Sequence, residues 1–527
     1  MKQFHYYTAI ILSIILNVFI NSQNISAQTI TVEGDIVEDT DWIVDSVIIT
    51  GDINILNGVT LTLVPNTYVE FQGHYKINVQ GCITATGTDN SPIIFTVNDT
   101  TGFTDTTIFA GGWQGIHFDS TAETNTGSKF DNCIFEYGKA VGESESERNG
   151  GVFFINNCSK LSISKSRFRN NIAVGSGGAI YCNNNSSPII SGNIITHNTA
   201  YYNGGGLAVK TNCSPQITGN TISYNFATEL GGGCYSNDTN VFPSIIANMI
   251  CNNRASNGGG LYDGNPDFRL INNIICNNYA DIGGAIYNGL TGSTAIYVNN
   301  TICNNNANQA GGVQCNSSSL QLVNNIIFGN TALSGEMEQI GVGMGAPIVT
   351  YCNVQDGYGG LDNIVENPSF IAPTYESGTD CDATNADWSI DPFSSACINT
   401  GKPNTAGLGL PATDFAGNDR IIDGRIDIGA FEAIIPAAYI TTKHANEMFY
   451  IFPNPCRGIV NFEFLNNEKT NFKINVLNSY GQQIFKKQYL NTSYIKDKID
   501  LSAFPNGIYF VKLKNGNSVF IKKMILL

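Results

Sequence analysis

From residue 166 onward a single phrase recurs: Asn, four residues, Asn, one residue, Ala, then paired glycines. It reads Asn193-Ile-Ile-Thr-His-Asn198-Thr-Ala200 and then Asn220-Thr-Ile-Ser-Tyr-Asn225-Phe-Ala227. It returns from Asn248 to Ala255, Asn273 to Ala280, Asn300 to Ala307 and Asn325 to Ala332. A first copy carries Ser166 in the leading place and ends at Asn171 and Ala173. The second asparagines fall at 171, 198, 225, 253, 278, 305 and 330, in steps of 25 to 28 residues. A period of that size means stacked supersecondary units, none of which buries its apolar side alone.

The unit is not helical, because no run of ten or more residues with 3.6 spacing occurs between the glycines. The apolar residues come instead in short groups. Just before each first Asn stands Ile190, Ile217, Ile245, Leu270, Tyr297 or Leu322; two places after it stands Ile195, Ile222, Ile250, Ile275, Ile302 or Ile327. After the glycines comes Ala179, Leu207, Cys234, Leu261, Ala285 or Val313. Three short strands per turn describe an all-β chain, a parallel β-helix with coils stacked about 4.8 Å apart. The Ile columns fill its interior, and each Ala marks a corner too tight for more. The asparagines invite a sugar- or metal-binding reading. The plainer one is structural: Asn accepts left-handed backbone at corners, and a column of amides hydrogen-bonds from coil to coil. The glycine pairs serve bends and close backbone approach. No Gly-Lys-Ser or Gly-Lys-Thr follows them, so they are not phosphate loops.

Residues 42–120 alternate apolar and polar side chains, which again predicts strands. Gly58-Val-Thr-Leu-Thr-Leu-Val-Pro65, Ser91-Pro-Ile-Ile-Phe-Thr96 and Trp113-Gln-Gly-Ile-His-Phe118 resemble the opening coils of secreted bacterial right-handed β-helix proteins. The right hand is implied by that resemblance and by the general handedness of parallel crossovers. Asn367-Pro-Ser-Phe370, Ser395-Ala-Cys-Ile-Asn399 and Asp423 to Glu432 resemble the closing segment of anchored β-helix proteins of the choice-of-anchor type. Such a segment is expected to cap the last apolar layer. Within it, Asp423, Arg425 and Asp427 read as a local ion-pair and hydrogen-bond cluster, with a calcium site as the alternative.

The last 79 residues are another kind of object. Phe452-Pro453-Asn454-Pro455 with Gly458 opens them, Asn475 to Gly481 reads as strand and turn, Pro505-Asn-Gly507 leads another strand, and Lys522 to Leu527 ends the chain. Short alternating strands between Gly and Asn turns predict a small Ig-like β-sandwich. In order and to the last residue, these motifs resemble the type A C-terminal sorting domain of the bacterial type IX secretion system. That resemblance implies passage across the outer membrane by the type IX machinery, removal of the domain, and release or attachment to surface lipopolysaccharide. At the other end, Met1-Lys2, an apolar stretch from Tyr6 to Ile20 and Ile25-Ser26-Ala27 have the pattern of a signal peptide, too short for a membrane span. The expected organisation is a signal peptide at 1–27 and a β-helix at 28–360 with clear repeats over 166–335. A closing segment at 361–435, a linker at 436–448 and the sorting domain at 449–527 complete it.

Charge divides the chain in the same place. Residues 440–527 hold twelve Lys or Arg against five Asp or Glu, whereas the preceding 439 residues hold 15 basic and 38 acidic groups. An acidic body disfavours nucleic acid and anionic lipid as its partners. Catalytic motifs are sparse. No Gly-x-Ser-x-Gly or His-Glu-x-x-His occurs, and His74, His117 and His197 have no partner at ligand spacing, so no cofactor or metal site is expected beyond the calcium alternative. Cys381 and Cys397 are the expected disulfide, and Cys251, Cys276 and Cys303 occupy one place in three successive coils. Two surface sets remain. Lys210, Asp238 and Asp263 follow the glycines of three successive coils and, if the body were a polysaccharide lyase, would be its base and acids. Phe226, Arg254 and Tyr279 form an outward column that either holds a sugar or stacks on itself by cation–π contact. The leading expectation is a non-catalytic surface or secreted protein that binds glycans or supports adhesion; the alternative is a glycan-cleaving enzyme.

Overall fold

The structure, a computed structural model, describes residues 28–434 except 239, 336 and 423, and residues 448–527 except 479, 480, 516 and 517. The signal-peptide reading, most of the predicted linker and Asp423 lie outside the described residues. Two compact units are present, Met1–Ile434 and Ile435–Leu527.

In the first unit every strand from Thr29–Ile36 to Asn353–Val354 pairs in parallel with its neighbours one coil away, as a parallel β-helix requires. The phrase that recurs in the sequence places one residue type at one height in each coil. Ile195, Ile222, Ile250, Ile275, Ile302 and Ile327 are in register and wholly buried. The second inward column runs Ile190, Ile217, Ile245, Leu270, Tyr297, Leu322. The third differs from expectation in two coils. Ile180 and Ile286, not Ala179 and Ala285, align with Leu207, Leu261 and Val313. Ala179 donates its N–H to Gly206 O, so it stands where the neighbouring coil has a third glycine. Toward the N-terminus the interior becomes aromatic: Phe95, Phe135 and Phe168 stack at 5.0 and 4.8 Å.

Asparagine sets the spacing. One ladder runs from Asn171 through Asn198, Asn225, Asn253, Asn278 and Asn305 to Asn330, the other from Asn193 through Asn220, Asn248, Asn273 and Asn300 to Asn325, and all of these are buried. Asn225 shows the pattern. Its Oδ1 accepts from the N–H (3.0 Å) and Nδ2 (2.9 Å) of Asn198; its Nδ2 donates to Ile195 O (2.9 Å) and to Asn253 Oδ1 (3.0 Å). One amide thus ties three coils together. Ser166 begins the second ladder by accepting the Cys133 N–H with its hydroxyl, and the Cys352 thiol ends it under Asn325. Gln339 ends the first, bonding Asn330 at both amide atoms.

The ladder asparagines are not the residues in left-handed backbone, contrary to the corner reading. The residue before each one is: Asn170, His197, Tyr224, Asn252, Asn277 and Asn304 all have φ of +53 to +56°. The tight bend turns the next side chain inward, which is what buries the amide.

The closing segment corrects a second expectation. Only its first residues close the last coil: Val354 donates to Ile364 O, and Cys352 N–H to Asn363 Oδ1. The rest runs back along the flank. Asn304, Asn277 and Asn252, on successive coils, donate in turn to Thr374 O, Gly378 O and Cys381 O. Trp388, Cys397, Ile428 and Phe431 cover Met249, Cys251, Ile274, Cys276, Cys303 and Ile326, which face out of the coil. The segment is a strap over four coils rather than an end cap, because those coils are apolar on both faces of the strand. The expected Cys381–Cys397 disulfide is absent. Cys381 O is held by Asn252 and Cys397 Sγ lies 3.2 Å from Asn353 Nδ2, in strands four coils or about 19 Å apart. All fourteen cysteines are buried thiols, the stacked trio included.

The second unit is antiparallel. Ile459–Asn478 pairs along its first half with Met448–Phe452 and along its second with Gly507–Asn515, while Gln483–Asp500 follows both halves. Phe464 and Phe472 are eight residues apart, about 26 Å in a straight strand, yet their rings are 4.7 Å apart. The strand therefore folds over on itself, and the two layers of the sandwich share one core.

Two outcomes follow. Asn225→Leu removes the amide but not the groups that bonded it, so it should cost about 4 kcal/mol in urea denaturation, against less than about 0.5 kcal/mol for exposed Gln216→Ala. The strap holds a buried cluster in which Arg420 faces Glu432 at 3.4 Å beside Asp414 and Asp427. Burial, partly offset by Arg420, pushes the Glu432 carboxyl up to about 8 from its ordinary 4.5. The folded state then binds a proton that the unfolded state gives up, so this contribution is full below about 4.5 and is lost as pH rises through about 8. Thermal unfolding midpoints should fall across that window, and Glu432→Gln should flatten the fall.

Candidate functional site: an aromatic-floored groove and a sorting tail

On the third face of the solenoid each strand turns its middle residue outward, and parallel register stacks these residues into a column: Phe154, Tyr181, Ala208, Tyr235, Tyr262, Tyr287. Phe154 and Tyr181 stack at 5.8 Å, Tyr235 and Tyr262 at 5.4 Å, Tyr262 and Tyr287 at 5.5 Å. Beside them the chain leaves each strand through Asn183, Lys210 or Asn237. Of the column, Tyr181 and Tyr235, two coils apart with Ala208 between them, line an open groove of about 560 Å³ together with Asn183, Lys210 and Asn237, and its walls also include Glu145, Asp238 and Pro266. Glu145 comes from the short helix Glu145–Arg148 and accepts from Tyr181 OH (3.0 Å) and Asn183 Nδ2 (2.9 Å). Lys210 Nζ lies 5.8 Å from the Tyr235 ring centre. The Asp238 carboxylate accepts from Thr211 Oγ1 at 3.2 Å.

The structure brings Lys210 and Asp238 to one groove and puts Asp263 elsewhere. Asp263 is the third residue of its strand and so points inward. It is fully buried, accepting from Tyr297 OH (2.8 Å), Asn288 Nδ2 (3.1 Å) and its own turn at Asn265 N–H (3.0 Å). Burial raises its carboxyl to about 6 against the pull of those bonds. Burial also raises the phenols of Tyr181 and Tyr235 and takes Tyr262 to about 12. The groove tyrosines are therefore neutral donors, not bases. Its chemistry is an apolar ring floor edged by amides, hydroxyls, one ammonium and two carboxylates.

In the other outward column Phe226, Arg254 and Tyr279 are in register, with the Arg254 guanidinium 5.0 Å from the Tyr279 ring centre. That pair occupies itself, while Phe226 is 40% exposed. His117 is buried against Gln114 O, and His74 is half-buried against Lys139 O. Among the described residues no three His, Cys, Asp or Glu side chains are grouped to hold a metal ion. Asp427 accepts the N–H groups of Asn399 and Ala433, and Arg425 donates to Thr400 O and Gly401 O, so these two form a hydrogen-bonded cluster inside the strap.

The aromatic column itself was not read from the sequence. Its signal was present: Tyr at 181, 235, 262 and 287, each one place after an inward apolar residue. Assigning Ala179 and Ala285 to the inward column displaced the register in two coils and hid it.

In the second unit the separated motifs meet. Asn454 donates to Lys523 O and accepts the Ile525 N–H, both at 2.8 Å, so the Pro453-Asn454-Pro455 turn is bonded to the terminal strand. Gly458 has φ +90°, and a Cβ there would stand 2.2 Å from Ser502 Oγ, which ties it to the Asp500-Leu-Ser502 turn. Gly481 turns at φ +78° with its N–H on Asn478 O, and Gly507 begins the strand paired with the chain end.

Residues 450–527 match the family described as secretion system C-terminal sorting domain. The chain thus carries a type IX sorting tail and is a secreted or cell-surface protein. No helix among the described residues is long and apolar enough to cross a membrane. No curated protein matches the sequence. A solved structure described as "The complex structure of XylC with xylose" aligns over 76% of this chain and 66% of its own, just under two thirds, at 12% identity and a TM-score of 0.24. A likeness at that level bears on neither ligand nor mechanism.

Deleting 449–527 should leave the protein in the periplasm of a type IX host, measured by cell fractionation. Gly458→Val should have the same effect through misfolding of the tail, while Gly481→Asn, a residue that tolerates left-handed backbone at a position with open space around it, should be displayed at close to the normal level.

Proposed function

We propose that the exported β-helix is a non-catalytic glycan-binding protein and that the groove over Tyr181 and Tyr235 is its binding face. One observation carries this reading: the rings of Tyr181 and Tyr235, two coils apart, form the floor of an open groove whose edges offer Asn183, Asn237, Lys210, Asp238 and Glu145. Sugar rings present an apolar face and a rim of hydroxyls, and such a floor and rim complement both. Two carboxylates against one ammonium, within a body of 38 acidic and 15 basic groups, favour neutral polymers over polyanions. A solenoid also repeats its surface along its length, which suits a repeating ligand.

The competing reading, a lyase with Lys210 as base, retains Asp238 as a neighbour but loses Asp263 to the core. A screen of the mature protein against neutral and acidic polysaccharides, with and without calcium, separates the two. Binding to a neutral glycan without reducing ends or unsaturated products is expected. Lys210→Ala and Asn237→Ala should each weaken it about tenfold, the loss of one good polar contact. Product formation that Lys210→Ala abolishes would establish the lyase instead.

A further inference from the structure

Five of the twelve basic residues in 440–527 gather on one face of a sheet. In the sheet formed by Gln483–Asp500, Ile459–Asn478, Gly507–Asn515 and Ser518–Leu526, the residues Phe472, Ile474, Val476, Val511, Leu513 and Met524 face the core. Their neighbours in sequence face out. Register then aligns Gln488, Lys473, Lys514 and Val519 in one row across four strands, and Lys486, Asn475, Lys512 and Ile521 in the next. A third row pairs Phe510 with Lys523. Five lysines share this face, and none of the residues in its rows is acidic. Between the lysines stand apolar side chains: Ile508 is 44% exposed, Val519 46% and Ile521 52%. Among the described residues the ion pairs of this unit, Lys487–Asp497 and Lys496–Glu463, lie off the face.

We infer that this face of the sorting tail docks on an anionic lipid surface. Like charges clustered on one side of a sheet repel one another, and a surface of opposite charge offsets that repulsion. Lysines whose stems lie beside exposed Ile, Val and Phe suit an interface with charged head groups above acyl chains: the ammonium groups pair with phosphate while the apolar side chains enter between them. A four-stranded face that spreads its lysines over three rows fits a laterally continuous partner better than a shaped acidic protein pocket. The inference is independent of the glycan reading, since it concerns the other unit.

The test is flotation of the full chain with its sorting tail retained, with vesicles of phosphatidylglycerol and phosphatidylcholine in about equal parts, beside phosphatidylcholine alone. Binding is expected only to the anionic vesicles, despite the net negative charge of the chain, and should fade as salt rises from about 0.05 M to about 0.5 M. Replacing Lys473, Lys512 and Lys514 by Gln should weaken it about a hundredfold, at about 1 kcal/mol per lysine near the surface. Replacing Lys487, Lys496 and Lys498 by Gln changes net charge equally on other faces and should weaken it less than about threefold. No binding to the anionic vesicles, or equal loss in both triple variants, would overturn the inference. So would binding to polyglutamate in preference to the vesicles, which would make the partner an acidic protein.

Discussion

The solenoid depends on a buried amide that bonds in two directions. Each ladder asparagine accepts from the coil before it and donates to the coil after it, while its Nδ2 also satisfies a main-chain carbonyl of the preceding coil. An unpaired buried amide is costly, so every coil must present an asparagine at the same height as its neighbours. That requirement holds the repeat near 27 residues and lets length vary only in the turns away from the ladders. The Ile columns then pack in register because the amides do. At the ladder ends, Ser166, Cys352 and Gln339 supply the last acceptor or donor, and the pattern stops without leaving a group unpaired there.

A surface made this way is regular, and departures from regularity mark where something else happens. From residue 249 the outward positions of two faces turn apolar, with Met249, Ile274 and Ile326 on one, and Ile271, Val298 and Val323 on the other. The strap covers both. Residues Asn252, Asn277 and Asn304, which the bend before each ladder rung leaves pointing outward, hold the strap's backbone. The same residue type thus does two jobs, inward as a rung and outward as a clamp, and backbone sign at one position decides which.

The third face is covered only in part: Phe154, Tyr181 and Tyr235 are buried, whereas Tyr262 and Tyr287 are half-buried. Glu145, from the short helix, bonds Tyr181 and Asn183, and Lys210 lies by the Tyr235 ring, so single side chains rather than a second layer edge the groove. The sorting tail separates its own surfaces in a similar way. One layer carries paired charges, and the other carries lysines with no acidic partner in their rows.

What the sequence alone determined is whatever repeats locally: the β-helix, the inward Ile columns, the amide ladders and the two-unit division, because each follows from period, residue size and the cost of an unbonded buried amide. The sorting motifs were legible for the same reason, being short and specific. What only the tertiary structure decided is what depends on chain segments distant in sequence. The strap's path along the flank is set by apolar outward positions meeting residues more than a hundred places later, so no local pattern distinguishes it from an end cap. Likewise the spacing after the glycines puts Asp263 in one surface set with Lys210 and Asp238, whereas the register, fixed by coils on both sides, turns its carboxylate inward to Tyr297 and Asn288 and leaves Lys210 and Asp238 outside.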